Sequence, residues 1–417
     1  MSLPLLSLLA LLAAILISSF TRVNVGVLSI AFAFAIGVGL GDLGTRDVVR
    51  GFPGSLFLTL VGITLLFAMA RQNGTLDRIT TAALRLARGR AGLVPIVFFL
   101  LALGFASAGP GNIAAVAMLA PVAMAAAARA GISPFLMAVM VCNGANAGAL
   151  SPIAPTGIIA NGLMADIGLP GVEWRTYFNT MIAQSFVALV AFAVLGGVRL
   201  LARADGAVTA DMLGLEQKGW DWRQRWTLAV IGLLLVGVVA FDLDVTMGAF
   251  LAAAALSVTG ATDEHEALAR VPWGAILLVC GVTVLVAIVG SSGGIELAAR
   301  WMAGVSNPTS VNGLIAFVTG VLSVYASTSG VILPAFLPMV PDLVSHLAGA
   351  DPLAIASSIN VGGHLVDVSP LSTLGAISLA AAPDEVRARL FNQLLVWGLS
   401  MAVVGAIVCW VFFGLLG

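Results

Sequence analysis

The chain has 417 residues, of which 60% are apolar and 9% charged, with a net charge of -1 and a mean hydropathy of +1.08. A soluble domain carries about 25% charged residues, so this composition excludes a water-covered globular protein, and the near-zero net charge provides no field for nucleic acid. Cys142, Cys280 and Cys409 all sit inside apolar runs, without disulfide or metal spacing.

Apolar runs recur along the chain near the ~20 residues that cross a bilayer. In the first half, spans are predicted at residues 3–20, 25–41 and 54–71, followed by a short amphipathic piece at 75–88 that lies in the interface. Two apolar arms follow, 92–106 and 113–128, joined by Ser107-Ala108-Gly109-Pro110-Gly111-Asn112. A Gly/Pro-broken span at 134–166 and a last span at 177–198 complete the half. Residues 201–224 read as a polar cytoplasmic linker. The second half repeats the order with spans at 226–241, 245–260 and 273–290, and an amphipathic piece at 294–303. Arms at 311–326 and 331–348, a broken span at 353–382 and a last span at 389–416 follow. The N-terminal run lacks the basic start of a signal peptide and has a partner at 226–241, so it reads as a span.

The repeat is visible residue by residue. At an offset of 219, Pro53 meets Pro272, Gly62 meets Gly281, Thr64 meets Thr283, Gly74 meets Gly293 and Asp77 meets Glu296. Ser107 meets Ser327 at 220, and Ser151-Pro152 meets Ser369-Pro370 at 218. The expected architecture is therefore an all-α polytopic membrane protein with an N-terminal repeat (1–200) and a C-terminal repeat (225–417).

Charge decides how the arms run. If each pair is a re-entrant hairpin, every half has five crossings and the repeats are inverted. Arg22, Arg71, Arg78, Arg85, Arg88, Arg90, Arg129, Arg199, Arg203, Lys218, Arg223, Arg225, Arg270, Arg387 and Arg389 then share one side. Only Arg46, Arg50, Arg175 and Arg300 face the other. The positive-inside rule makes the crowded side cytoplasmic and both termini periplasmic in a bacterial inner membrane. Arms that spanned fully would give parallel repeats and weaken this asymmetry.

Non-helical backbone is tolerated at membrane depth only where protein or a watery cavity lines it. Four such breaks pair across the repeat: the tips at 107–112 and 327–330, and the broken spans at 143–157 and 360–375. Half-helix N-termini there attract anions, while freed carbonyls and hydroxyls coordinate a cation. Ser107, Asn112, Ser327, Thr328 and Ser329 can donate to carboxylate oxygens without adding a fixed charge. His364 and Asp367 are the ionisable residues of the predicted core, and their counterparts at offset 218 are Asn146 and Ala149. An intramembrane aspartate costs about 2.5–3.5 kcal/mol on insertion scales, which points to cation or proton coupling. The alternative is that Asp367 caps a half-helix starting near Ser369. His364, Asp367 and Ser369 are also the residue types of a nucleophilic triad, but no G-x-S-x-G turn is present and an enzyme reading leaves the repeat unexplained.

On these residues the chain resembles the ion-transporter superfamily, and within it the bacterial malonate/dicarboxylate carriers, relatives of the divalent anion–sodium symporters. The resemblance covers essentially the whole chain. The family's Ser-Asn-Thr triplet at each tip is matched by Ser107 and Ser327, with Asn112 and Thr328 as substitutes. Its Gly/Pro loops are matched by Ser151-Pro152 with Thr156, and by Ser369-Pro370 with Thr373. The resemblance implies a substrate set of Ser107, Asn112, Ser151, Thr156, Ser327, Thr328, Ser329, Ser369 and Thr373. The expected coupling set is Asn146, Gly148, His364 and Asp367, with sodium expected at Ser107, Asn112, Gly148, Thr328 and Asp367; Asp367 lies outside the symporter pattern and leaves proton coupling open. The resemblance also implies a homodimeric elevator for a small dicarboxylate that needs no cofactor beyond a coupling sodium or proton. Another anion, or exchange of a cation against protons, remains open at this stage.

Overall fold

The computed structural model describes residues 2–21, 23–41, 43–84, 90–202, 219–241 and 243–416. In chain order its first half holds α1 (Leu3–Phe20), α2 (Val25–Gly37), α3 (Thr45–Arg50), α4 (Gly54–Gln72) and α5 (Thr75–Leu84). Next come α6 (Val94–Ala108), α7 (Gly111–Ala130), α8 (Pro134–Ala149), α9 (Pro155–Asp166), α10 (Glu173–Val194) and α11 (Gly197–Ala202). The second half has α12 (Trp222–Phe241), α13 (Val245–Val258), α14 (Glu264–Ala269), α15 (Trp273–Ser291), α16 (Gly294–Gly304) and α17 (Ser310–Ser323). It continues with α18 (Leu333–Phe336), α19 (Val340–His346), α20 (Pro352–Val366), α21 (Thr373–Ala380) and α22 (Asp384–Cys409). No strand occurs among the described residues. Of the linker, residues 203–218 lie outside the described residues, as do Arg22, Arg85, Arg88, Arg203 and Lys218 of the charge argument.

Seven helical segments among the described residues are long and apolar enough to cross a membrane. Large side chains such as Leu189, Val194, Leu233 and Val258 stand exposed on the outside, the pattern of helices that are apolar all round. The ion pairs Arg50–Asp47 and Arg300–Glu296 sit on the short helices α3 and α16, and Arg387–Asp384 at the start of α22, outside the apolar stretches. The chain is thus an all-helical, multi-pass membrane protein.

The predicted offset returns in the element bounds. α4 and α15 begin at residues 54 and 273, and α5 and α16 at 75 and 294, each 219 apart. α8 and α20, and α9 and α21, begin 218 apart. Packing crosses between the halves: α2 lies along α15, and α4 lies along α13. Gly26 and Gly281 let the first seam close backbone to backbone, since a Cβ on Gly26 would fall 2.2 Å from the Leu277 carbonyl oxygen. Within each half the arms pack on the broken span, α6 and α7 on α8, and α17 and α19 on α20. The last spans α10 and α22 then cover α8 and α20.

Two details differ from the expected elements. The second arm is not one helix. A π turn at Thr328–Ile332 is followed by short helical pieces, because Pro334, Pro338 and Pro341 each remove a backbone donor. The short helices α3, α11 and α14, six residues each, connect spans where no helix was expected.

Candidate functional site

The first tip is a two-residue reversal between α6 and α7. Gly109 adopts φ 136, and a Cβ there would fall 1.9 Å from the Phe67 ring of α4, so only glycine lets the tip press on that helix. α7 then starts at Gly111 and α9 at Pro155, and neither helix has a side-chain cap hydrogen bond. Both beginnings line one cavity of about 560 Å³, bounded by α4, α7, α9 and α15. Its polar floor is Asn112, Thr156 and Ser329, its walls are largely apolar, and Arg71 and Arg270 also line it. Among the described residues no acidic side chain lines it. In the first turn of α7, Ile113 N donates to Asn112 Oδ1 at 3.0 Å; the other first-turn N–H groups of the two helices, beside amide and hydroxyl donors, are suited to an anion.

A chain of hydrogen bonds leads away from this floor. The Thr156 hydroxyl donates to Asn112 Oδ1 (3.4 Å), Asn112 Nδ2 to Asn146 Oδ1 (2.9 Å), and Asn146 Nδ2 to the His364 carbonyl (2.8 Å). Asn146 and His364 are repeat counterparts, 364 − 146 = 218. α8 and α20 therefore touch at residues that the offset of 218 makes equivalent.

The second polar cluster gathers on Asp367, which closes α20 and is 5% exposed. Its Oδ1 accepts from Thr328 (2.7 Å), Ser372 (2.8 Å) and Ser323 (3.3 Å). Thr328 Oγ1 also lies 2.5 Å from Ser323 Oγ and 3.2 Å from the Gly363 carbonyl. A hydroxyl has one proton to give, so the short contacts order as Ser323 to Thr328 to Asp367. The capping alternative is not what the side chain does: α21 begins at Thr373 behind Ser372, and Asp367 binds hydroxyls instead of its amides. His364 Nδ1 pairs with the Asn360 carbonyl at 2.7 Å, while its buried Nε2 has no hydrogen-bond partner among the described residues.

The remaining expected residues fall as follows. The Ser107 hydroxyl pairs with Tyr177 Oη (3.0 Å), and the Ser107 carbonyl accepts from Ser151 (2.7 Å). Ser327 caps the π turn by accepting from Gly330 N (3.2 Å). Ser369 Oγ accepts from Leu371 N within the second break, and Thr373 is half-buried at the start of α21. Gly148 lies under the first tip, where a Cβ would meet Ser107 N at 2.8 Å. The structure thus joins Asn112, Thr156 and Ser329 in one cavity and Thr328 with Asp367 in another cluster. It does not bring Ser107, Ser151, Ser327, Ser369 or Thr373 to the cavity wall. Sequence reasoning missed Ser323, Ser372, Tyr177, Arg71 and Arg270 as neighbours of these sites. Ser323 was within reach of it, one helical turn before the second tip.

Comparison with known proteins agrees with this fold. Residues 1–149 match the family model described as dicarboxylate carrier protein MatC N-terminus. An uncharacterized transporter of Mycobacterium tuberculosis is 25% identical over 362 residues, covering 80% of each chain. Another from that organism is 26% identical over 373 residues, covering 82% of this chain and 83% of its own. The crystal structure of the Alcanivorax borkumensis YdaH transporter superposes with a TM-score of 0.55 at 17% identity, over 88% of this chain and 87% of that one. The N-terminal 149 residues thus resemble the N-terminus of dicarboxylate carriers, and over about four fifths of its length this multi-pass membrane protein is similar to proteins named as transporters.

Proposed function

We propose that the protein is a secondary active transporter of a small dicarboxylate, malonate or a C4 acid, moved in symport with a cation. The observation that carries this reading is the cavity floor, where α7 and α9 both begin, without a bond from the N-cap side chain, beside Asn112, Thr156 and Ser329. Neutral donors and helix N-termini hold a carboxylate reversibly, without the tight grip of a buried arginine. The Asp367 cluster is the coupling-ion site: a carboxylate, three hydroxyls and the Gly363 carbonyl form an all-oxygen set suited to a hard cation such as sodium. The unpartnered Nε2 of His364, one turn before Asp367, favours the proton as the second reading.

In this reading residues 1–200 and 225–417 are inverted repeats, each with five crossings and one hairpin. α7, at 20 residues, rises about 30 Å and is long enough to cross by itself, so the hairpin rests on the arginine distribution. The exchanged seams α2–α15 and α4–α13 serve as scaffold. The arms and broken spans move against them as an elevator within a homodimer of the inner membrane, with both termini periplasmic and the arginine-lined end of the cavity toward the cytoplasm. The test is uptake of radiolabelled malonate into proteoliposomes under an inward sodium gradient, a proton gradient, or neither. Concentrative uptake under sodium is expected. Uptake under protons alone transfers coupling to the second reading, and equal downhill flux without either gradient refutes symport.

A further inference from the structure

The cavity has two chemically distinct ends. Its floor lies level with both tips: Gly109 sits on Phe67 of α4, and Gly330 beside Ser329 sits on Leu278 of α15. Arg71 is one turn beyond Phe67 on α4, about 6 Å along the axis. Arg270 precedes the first residue of α15, and from Trp273 to Val279 that helix rises about 9 Å. The two arginines therefore share the end away from the floor, separated from it by apolar wall such as Ala68, Ile113 and Ile276.

Their charges are not cancelled alike. Arg270 pairs with Glu266, which also accepts from Gln72 Nε2 at 2.9 Å. Among the described residues Arg71 has no ion-pair partner. The lip thus keeps net positive charge over low-dielectric walls, which focus its field into the cavity. The repeat does not account for it either, because the counterparts at offset 219 are Gly290 for Arg71 and Gly51 for Arg270. A boundary arginine ordinarily snorkels to water or lipid headgroups; both residues are exposed, and both also line the mouth of the cavity.

We propose that Arg71 and Arg270 form an outer anion station, distinct from the polar floor, which receives one carboxylate of an entering dianion. The inference rests on the reading that the floor binds carboxylate. A malonate or succinate is too short to reach both stations at once and passes from one to the other. A linear α,ω-dicarboxylate whose carboxylates stand about 10 Å apart, the depth that the helix rise gives on the Arg270 side, occupies both together and lodges there. The arginine lip therefore sets a length rule: short dianions move on, and long ones inhibit.

The test is equilibrium binding to the purified protein in nanodiscs of zwitterionic lipid, with nonanedioate and the monoanion nonanoate as probes. Nonanedioate is expected to bind at least tenfold more tightly than nonanoate. Arg71→Gln and Arg270→Gln should each cut that ratio below threefold, and Arg71→Lys, which keeps the charge, should retain most of it and shows that the fold tolerates change there. A wild-type ratio near one, or a ratio unmoved by Arg71→Gln, overturns the outer station. Because the ratio needs no transport, the two readings fail separately. Malonate uptake with a ratio of one refutes the station alone, and an intact, arginine-dependent ratio without uptake of any short dicarboxylate refutes the transport reading alone.

Discussion

Replacing Thr328 by valine perturbs the Asp367 cluster at its centre. The two side chains differ little in shape, so the change removes one hydroxyl and keeps the methyl packing. That hydroxyl donates to Asp367 Oδ1 at 2.7 Å and receives Ser323 at 2.5 Å. Ser323 retains a second acceptor, Asp367 itself at 3.3 Å, so the outright loss falls on the carboxylate. A hydrogen bond to a charged group contributes about 1.5–3 kcal/mol, which puts the cost near 2 kcal/mol. If the same oxygens ligate the coupling ion, that is roughly 30-fold in its half-saturating concentration. Thr328→Ser keeps the hydroxyl and loses one methyl, about 0.8 kcal/mol, and serves as the control. Sodium and proton dependence of uptake in proteoliposomes, with the thermal midpoint of the purified protein, reads both effects. Valine and serine variants that behave alike, both within twofold of wild type, would refute the argument that the hydroxyl organises the site.

Asp367→Asn should flatten the dependence of uptake on the coupling gradient while downhill flux persists; ordinary coupling in that variant removes Asp367 from the ion site. Asn112→Ala and Thr156→Ala, on the cavity floor, should each weaken malonate uptake at normal expression, and unchanged uptake in both discards the floor as the substrate site. Ser327→Ala, off the cavity wall, should cost about 1 kcal/mol as a lost cap and leave the half-saturating malonate concentration near wild type. Gly362→Ala should lower the thermal midpoint, because its Cβ would lie 2.6 Å from Ala316 Cα and separating α17 from α20 costs about 1–3 kcal/mol. Gly304→Ala, with nothing within 4 Å of its Cβ, is the matched control that should leave the midpoint in place.

The breaks were legible because their causes are local. Pro155 starts α9, Pro370 follows the end of α20, and glycines precede both, so the interruptions are written within a few residues. The repeat was legible because prolines and glycines hold their register at 219 and then 218. Direction about the helix axis was not. Ser107 and Ser329 are equally polar tip residues, yet Ser107 turns to Tyr177 and Ser329 faces the cavity, a choice made by packing between spans distant in sequence. The hydroxyls on Asp367 escaped notice for the same reason: Ser323, Thr328 and Ser372 come from three elements and assemble only when α17 and α20 pack. The second arm was legible as an apolar stretch but its internal breaks were not read, although Pro334, Pro338 and Pro341 recur at near-helical spacing.

The seam between α2 and α15 bears on how the protein is made. Gly26 and Leu277 touch backbone to backbone, yet 277 − 26 = 251 residues separate them along the chain. α2 is synthesised and inserted long before its partner exists, and its small-residue face must wait against lipid until the second half arrives. α4 waits likewise for α13. The first half on its own would be an assembly intermediate with two open grooves, each the shape of a helix not yet translated. Separately expressed halves should find each other in the bilayer, whereas either alone would be cleared by membrane quality control.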